Sequence, residues 1–208
     1  MAAPVTSPRP AHVPTSAPAA TVVVTGASGW LGQNLVRALI DQRDRVRCLV
    51  PGDDQAAPLA LLSRRVEVVV GDVRDPATVD RLFEGVGTDA AVFHAAAVIH
   101  PTRSTREFFD VNVGGTQNVV DRARRSGASR FVHVSSNSPF GVNPTPDDLF
   151  SEDSPYNPYL GYGQSKYEAE QIVQQANDRG DLATVMVRAP WFYGPYQPAR
   201  QSQFFKTI

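Results

Sequence analysis

Two patterns of hydrophobic and polar positions alternate along the chain. One is a short run of nearly uninterrupted apolar residues, rich in valine, which is typical of parallel strands buried on both faces. Such runs predict strands at 21–26, 45–50, 66–72, 90–96, 130–136 and 183–189. The other pattern places apolar residues at helical spacing in the segments between these runs. It predicts helices at 29–42, 55–63, 76–85, 105–126 and 161–178.

The alternation of strand and helix predicts the fold class. Six strands joined by helices form an α/β protein, a Rossmann-like doubly wound parallel sheet with helices on both faces. The third helix has a clear start signal, because Asp75 can cap its N-terminus and Pro76 then occupies the first turn. In such a sheet, ligands bind beyond the carboxyl ends of the strands.

The first twenty residues differ in composition from the rest. Residues 1–20 are rich in proline and alanine, and they contain neither an acidic residue nor the apolar core of a signal peptide. We predict a disordered tail, with an organellar transit peptide as the alternative. The fold is expected to begin at Thr21.

Charge and cysteine content exclude several classes of function. The 208-residue chain has 20 basic and 21 acidic residues and a formal net charge of −1, so no overall charge attracts nucleic acid. The single cysteine excludes an internal disulfide, and no metal-ligand spacing is present. No apolar run approaches the length of a membrane span. We therefore expect a cytoplasmic protein with no metal, no nucleic-acid partner and no membrane span.

A glycine-rich turn follows the first predicted strand. The sequence TGASGWLG has the spacing G-x-x-G-x-x-G and leads into the first predicted helix. Glycines allow a sharp turn and let backbone N–H groups approach a pyrophosphate, which the helix N-terminus also attracts. The motif therefore predicts a dinucleotide site. Its candidate binding residues are Gly26, Ser28, Gly29, Trp30, Leu31 and Gly32.

The end of the second strand selects between NAD and NADP in this fold. An acid there binds the ribose 2′-hydroxyl of NAD, and an arginine binds the 2′-phosphate of NADP. Here Pro51 occupies the position, with Asp53 and Asp54 just beyond it. The two acids and the lack of an arginine favour NAD slightly over NADP.

Tyr162 and Lys166 lie four residues apart in GYGQSKYEAE, within the last predicted helix. Residues at this spacing share a helix face, so the ammonium group is expected to favour the phenolate and lower the pKa of Tyr162. Such a tyrosine can exchange a proton with a substrate oxygen near neutral pH. An ordinary helix surface is the alternative, because the pair is common by chance.

Several motifs, in the same order, resemble those of the extended short-chain dehydrogenase/reductase family, the NAD-dependent epimerase/dehydratase group. Besides TGASGWLG they are Gly71-Asp72-Val73, His94-Ala95-Ala96-Ala97, Asn112 in DVNVGGTQNV, VSSNSPFG, YGQSK and RAPWFYGP. The resemblance extends over residues 21–208.

The resemblance implies a role for each matching residue. Tyr162 would be the general acid/base, Lys166 would lower its pKa and hold the nicotinamide ribose, and Ser136 would bind the substrate oxygen. Asn112 would help to order Lys166. Cofactor contacts are further implied for Asp72, Val73, His94, Ala95, Ala96, Lys166 and Pro190.

Two histidines, His94 and His133, lie inside apolar predicted strands. We expect both side chains to be buried and hydrogen-bonded in the core and not to bind a ligand. The cofactor contact implied for His94 therefore competes with a structural one.

The implied activity is hydride transfer at a secondary alcohol or ketone of a small, steroid-like or sugar-derived molecule. Asn137 and Ser138 stand where dehydratases of the family carry an Asp-Glu pair, which disfavours a dehydration. A sugar-nucleotide epimerase and a non-catalytic NAD(P)-binding sensor or regulatory protein are the alternatives.

The resemblance also implies a domain organisation. Residues 21–190 would form the dinucleotide-binding domain with the catalytic serine, tyrosine and lysine, and residues 191–208 would begin a truncated substrate-binding region. The predicted helices 105–126 and 161–178 correspond to those that pair in family dimers, which predicts a homodimer.

Overall fold

A computed structural model describes residues 21–143, 145, 147–190 and 192–199. Its strands are β1 (Thr21–Thr25), β2 (Arg45–Val50), β3 (Val66–Val70), β4 (Ala91–His94), β5 (Arg130–Ser136) and β6 (Thr184–Ala189). Its α-helices are α1 (Trp30–Leu39), α2 (Asp53–Ala60), α3 (Pro76–Leu82), α4 (Thr116–Ser126) and α5 (Leu160–Asp178). A π-helical segment, Phe108–Gly115, precedes α4, and a 3₁₀ turn, Ser138–Phe140, follows β5. In these ranges, every helix is too short or too polar to cross a membrane.

The strands form one parallel sheet with the order β3-β2-β1-β4-β5-β6. The chain moves outward from β1 to β3 and then crosses over to continue from β4 on the other side. This order is that of the doubly wound dinucleotide-binding fold, so the predicted fold class is confirmed. The direction changes between β1 and β4, where Thr25 pairs with His94. A ligand crevice opens at such a switch point.

Both faces of the sheet are buried, as the apolar strands predict. Val22 and Val24 belong to a core cluster with Val36 of α1, whereas Val23 belongs to a second cluster with Val119 of α4. All five side chains are fully buried. Side chains alternate between the two faces of a strand, and each buried valine contributes about 1.5–3 kcal/mol. The two layers together hold the strand ends in place.

The start of α3 agrees with the sequence signal. The Asp75 carboxylate accepts hydrogen bonds from the backbone N–H groups of Ala77 at 3.0 Å and Thr78 at 3.2 Å, and Pro76 lies in the first turn. These bonds satisfy two of the N–H groups that a helix N-terminus leaves unpaired. The Thr78 hydroxyl also donates to Asp75, and this bond is the largest cause of the lowered pKa of Asp75.

The predicted helix 105–126 differs from the structure in its first half. Phe108–Gly115 forms π-helical turns, and α4 begins only at Thr116. A Cβ on Gly115 would lie 2.6 Å from Val73 Cγ2, so the close approach to the loop after β3 requires a glycine. Turns of this kind are frequent at functional sites, and Asn112 lies in the middle of this one.

Candidate functional site

The turn between β1 and α1 requires its glycines. Gly26 has a φ of +69°, and a Cβ there would lie 2.6 Å from the Ala96 nitrogen. A Cβ on Gly32 would clash with the Gly26 carbonyl oxygen, so α1 packs directly against the strand end. The Gly29 N–H closes the turn by donating to the Gly26 carbonyl at 3.0 Å. The first N–H groups of α1 are the groups that could hold a phosphate.

A cavity of about 630 Å³ lies beside this turn, at the carboxyl ends of β1 to β4. Its volume is in the range of small-molecule and cofactor sites. Seven of the predicted cofactor residues line it: Gly26, Ser28, Gly29, Asp72, Val73, Ala95 and Ala96. Apolar side chains from the end of β2 and from the loop after β4 form much of the remaining wall.

Among the described residues, the other predicted cofactor contacts lie outside this wall, namely Trp30, Leu31, Gly32, His94, Lys166 and Pro190. The Trp30 indole stacks on the Phe192 ring, with the centroids 4.8 Å apart and 14° between the planes. Trp30 Nε1 donates to the Pro195 carbonyl at 2.6 Å, and Asn34 Nδ2 donates to the same oxygen at 2.9 Å. The chain after β6 therefore packs on α1. Pro190, just after β6, is exposed.

Asp72 lines the cavity as predicted, but its carboxylate is already paired. Arg74 Nη2 lies 2.5 Å from Asp72 Oδ2, and the Arg74 backbone N–H donates to Oδ1 at 2.8 Å. The hydrogen bond from the Arg74 side chain is the largest cause of the lowered pKa of Asp72. Arg74 also lines the cavity, and the sequence motifs did not predict it as a site residue. Its position two residues after Asp72 could have indicated the ion pair.

Ser28 is held by a residue that the sequence motifs did not indicate. The Ser28 hydroxyl donates to Gln55 Oε1 of α2 at 2.7 Å. Helix α2 follows Gly52, and its first turn contains Asp53 and Asp54. Two carboxylates therefore lie next to the end of β2, where this fold binds the adenosine ribose.

The structure brings Ser136 and Tyr162 together at the carboxyl end of β5. The Ser136 hydroxyl acts on the Tyr162 phenol and favours its charged form, and Ser138 Oγ lies 3.0 Å from Ser136 Oγ. The neighbouring Ser135 donates to the Glu170 carboxylate. Burial raises the pKa of Tyr162, and the interaction with the Ser136 hydroxyl acts in the opposite direction.

Lys166 does not act on Tyr162 in the predicted way. Its buried ammonium donates to the Val134 carbonyl at 2.8 Å and to His133 Nε2 at 3.3 Å, both on β5. Burial lowers the pKa of Lys166 to about 8, and the charge of Glu170 opposes this shift. The prediction that Lys166 lowers the pKa of Tyr162 is wrong for this structure, because the ammonium binds the strand and burial dominates at the phenol.

Asn112 contacts α5 through Ser165. Its Oδ1 accepts from the Val98 N–H at 2.7 Å, and its Nδ2 donates to the Val98 carbonyl and to Ser165 Oγ, each at 3.0 Å. Ser165 Oγ donates in turn to the Tyr162 carbonyl at 2.8 Å. Asn112 therefore joins the loop after β4, the π-helical segment and the helix that carries Tyr162 and Lys166.

A buried chain of hydrogen bonds runs beneath the cavity through His94. The Ala96 N–H donates to Thr25 Oγ1 at 3.3 Å, and Thr25 Oγ1 lies 2.7 Å from His94 Nδ1. On the other side, His94 Nε2 lies 2.9 Å from Thr116 Oγ1, which donates to the Asn112 carbonyl at 2.6 Å. The single proton of the Thr116 hydroxyl is thus used, so His94 donates from Nε2 and accepts from Thr25 at Nδ1.

Both strand histidines belong to the core, and both ring nitrogens of His94 are hydrogen-bonded as expected, whereas Nδ1 of His133 is buried without a partner among the described residues. His94 and His133 are buried, and their rings stack with centroids 5.5 Å apart. Burial, followed by the charge of Lys166, lowers the pKa of His94 to about 3 and that of His133 well below its ordinary value. In the part of the chain that the structure describes, no group of three or more His, Cys, Asp or Glu side chains is placed to hold a metal ion.

The sheet order, the glycine turn and the cavity at the switch point define a Rossmann-type protein with a nucleotide-binding crevice. The model of the NAD dependent epimerase/dehydratase family matches residues 22–208. The chain belongs to this family.

The relatives include enzymes with different substrates. Sterol demethylase protein B of Methylococcus capsulatus is 36% identical over 181 residues, covering 84% of this chain and 54% of that protein. The 3 beta-hydroxysteroid dehydrogenase/Delta 5-->4-isomerase of Mycobacterium tuberculosis is 32% identical over 198 residues, covering 90% of this chain and 51% of that protein. Among solved structures, the chain is similar to dTDP-glucose 4,6-dehydratase DesIV of Streptomyces venezuelae with NAD and TYD bound. The alignment has a TM-score of 0.75 and 29% identity, and it covers 86% of this chain and 58% of that one. The chain thus spans about half the length of the curated relatives it matches.

Proposed function

We propose that this chain is the catalytic core of an NAD(P)-dependent oxidoreductase that transfers hydride at a secondary alcohol or ketone, with Tyr162 as the general acid/base. The observation that carries the proposal is the proximity of Ser136 and Tyr162 at the carboxyl end of β5, the same sheet edge as the glycine turn. A protein that only binds a dinucleotide has no need of this pair. Membership of the epimerase/dehydratase family supports the same class of chemistry.

Ser136 would hold the substrate oxygen, and Tyr162 would move the proton on it. In the reduction of a ketone, the phenol gives its proton to the oxygen as hydride reaches the carbonyl carbon, and an alcohol forms. The nicotinamide, when bound, supplies that hydride. Burial raises the pKa of Tyr162, so the protonated phenol is the resting form and can donate this proton.

Lys166 would contribute a hydrogen bond to the cofactor. An ammonium group has three N–H donors, and the contacts with Val134 and His133 use two of them. The third is available for a ribose hydroxyl. Asn112 would hold the helix that carries Lys166 in register with the cavity wall.

We further propose NAD as the preferred cofactor. Asp53 and Asp54 would repel a 2′-phosphate, and no arginine directly follows β2. Arg74 also lines the cavity, but its charge is compensated by the ion pair with the Asp72 carboxylate. In calorimetry, NADP should bind more weakly than NAD, and equal or tighter binding of NADP would contradict the assignment.

The proposed substrate is a small molecule with a secondary alcohol or ketone. A steroid-like substrate is preferred to a sugar-derived one. Two relatives above 30% identity carry sterol or steroid in their names. Asn137 and Ser138, the neighbours of Ser136, are neutral, so the turn after β5 supplies no carboxylate for an elimination. This composition disfavours a dehydratase.

A sugar-nucleotide epimerase and a non-catalytic NAD(P) sensor are the other candidates. All three can be separated by supplying the protein with cofactor and following nicotinamide absorbance and product. Net oxidation or reduction with hydroxysteroids or ketosteroids supports the dehydrogenase. Interconversion of nucleotide-sugar epimers without net cofactor change supports the epimerase, and cofactor binding without any turnover supports the sensor.

We also propose a homodimer through the segments 105–126 and 161–178. In the structure, α4 and α5 pack side by side, and the family resemblance assigns the dimer contact to this pair. Light scattering should give twice the mass of the chain at micromolar concentration. A monomeric mass there would refute the dimer.

A further inference from the structure

One face of α5 carries three titratable side chains in a row. Tyr162, Lys166 and Glu170 are each four residues apart, so they lie one above another along the helix. Lys166 is 2% exposed and Glu170 is fully buried. The proposed chemistry uses the first two and leaves Glu170 without a role. A buried carboxylate one turn from the active-site lysine requires an explanation, because burying a charge is costly.

Both oxygens of Glu170 accept hydrogen bonds from neighbouring side chains. Tyr156 OH donates to Oε2 at 2.9 Å, and Ser135 Oγ donates to Oε1. Arg188 of β6 adds bonds from Nε at 3.1 Å and from Nη2 at 2.9 Å, both to Oε2. The Arg188 guanidinium itself lies over the Phe140 ring, 5.0 Å from the centroid. These contacts occupy the carboxylate oxygens, and Lys166 forms no direct ion pair with them.

Among the residues that the structure describes, Glu170 is the one carboxylate that acts on the charge of Lys166. Its two direct partners on β5, the Val134 carbonyl and His133 Nε2, are neutral. The π-helical segment presents the neutral amide of Asn112 to the adjacent Ser165. The titratable or charged groups around the ammonium are Tyr162 and Glu170 on α5, His94 on β4, His133 on β5 and Arg188 on β6.

We propose that Glu170 is a positioning residue whose buried charge keeps Lys166 protonated near neutral pH. Burial alone disfavours an ammonium, and a carboxylate one helical turn away offsets part of that cost. Arg188, Tyr156 and Ser135 hold the Glu170 carboxylate one helical turn from Lys166. The ammonium is then kept charged where it contacts β5, with its third N–H left for the cofactor. The inference deepens the proposed function, on which its relevance to catalysis rests.

The lysine content of the chain allows a direct test without substrate or cofactor. The sequence contains two lysines, Lys166 and Lys206. Lysine labelled with ¹³C at Cε therefore gives two signals, and Lys206→Arg assigns them. Titration of the Lys166 signal should give a midpoint close to the pKa of about 8 that its burial produces.

The decisive variant is Glu170→Gln, which removes the charge and keeps the shape. The Lys166 midpoint should fall by about one unit. Glu170→Asp, which keeps a carboxylate, should restore most of the difference. Glu168→Gln is the matched control on the same helix, because Glu168 is partly exposed and hydrogen-bonded to Gln164. It should leave the midpoint unchanged.

An unchanged Lys166 midpoint in folded Glu170→Gln would overturn the inference. If that variant does not fold, the double variant Glu170→Gln/Arg188→Gln removes both members of the Glu170–Arg188 ion pair and answers the same question. Its Lys166 midpoint should also fall, and an unchanged or raised value would refute the proposal. The titration involves neither hydride transfer nor dinucleotide, so its failure would leave the proposed function standing, and a failed activity screen would not alter the titration.

Discussion

Asn112 and Val98 are joined by two hydrogen bonds, one in each direction, in the manner of paired strands. The Val98 N–H donates to the side-chain oxygen, and the side-chain nitrogen donates to the Val98 carbonyl. Val98 lines the cavity, whereas Asn112 lies in the π-helical segment and contacts Ser165 of α5. The Asn112 amide therefore links the cavity wall to the helix that carries Tyr162.

Replacing this amide should weaken cofactor binding. Asn112→Ala leaves the Val98 N–H and carbonyl unpaired, which costs about 1–3 kcal/mol of stability. Because the wall then loses its anchor, NAD affinity measured by calorimetry should fall about tenfold. Asn177→Ala is the control, since Asn177 accepts a bond from the Thr184 N–H away from the cavity. It should leave affinity unchanged, and an unaffected affinity in Asn112→Ala would contradict the assigned role.

The glycine turn can be tested with two glycines of nearly equal backbone conformation. Gly26 has a φ of +69° and no room for a Cβ, whereas Gly180 has a φ of +75° and nothing within 4 Å of a Cβ position. Gly180→Ala should cost only the left-handed strain, about 1–2 kcal/mol in the free energy of unfolding. Gly26→Ala should cost more than Gly180→Ala and abolish NAD binding. Equal losses in chemical denaturation would show that the close contact with Ala96 is unimportant.

Burial of His94 in its neutral form predicts a pH dependence of stability. A histidine whose pKa is lowered on folding stabilises the fold above its unfolded pKa, near 6.5, and this contribution is lost as the pH falls toward about 3. His133 acts in the same direction. His94→Gln retains an acceptor for Thr25 and a donor for Thr116 but cannot titrate. Between pH 6.5 and 5, the free energy of unfolding should therefore fall more steeply in the wild type than in His94→Gln. The difference in slope for His94 should be about 1.4 kcal/mol per pH unit.

The matched variant for this experiment is His100→Phe. His100 is exposed, so its loss should leave the pH slope of the wild type in place. If the free energy of unfolding has the same pH slope in His94→Gln and in the wild type between pH 6.5 and 5, the assignment of a neutral, buried His94 is wrong.

The sheet and the cofactor turn could be predicted from the sequence because their signals are local. Buried strands read as apolar runs, Asp75-Pro76 marks a helix start, and the spacing of Gly26, Gly29 and Gly32 marks the turn. The family resemblance indicates Tyr162 and Ser136, and the structure brings the two side chains near one another.

The parts that the sequence could not predict depend on distant contacts. Lys166 shares a helix face with Tyr162, yet its ammonium binds β5 because the carbonyl and the histidine there are within reach. The π-helical segment ends at Gly115, which packs closely against Val73, 42 positions away in the chain. The segment 191–208 lies partly outside the described residues; its described portion packs on Trp30.

The most direct test of the central claim is the rate of NADH-dependent reduction of a ketosteroid by Tyr162→Phe. The variant removes only the phenol oxygen, so NAD binding should stay within about twofold, whereas the rate should fall about 10²–10⁴-fold. Tyr159→Phe, three residues away and 61% exposed, should keep the wild-type rate. Turnover by Tyr162→Phe at the wild-type rate would contradict the account.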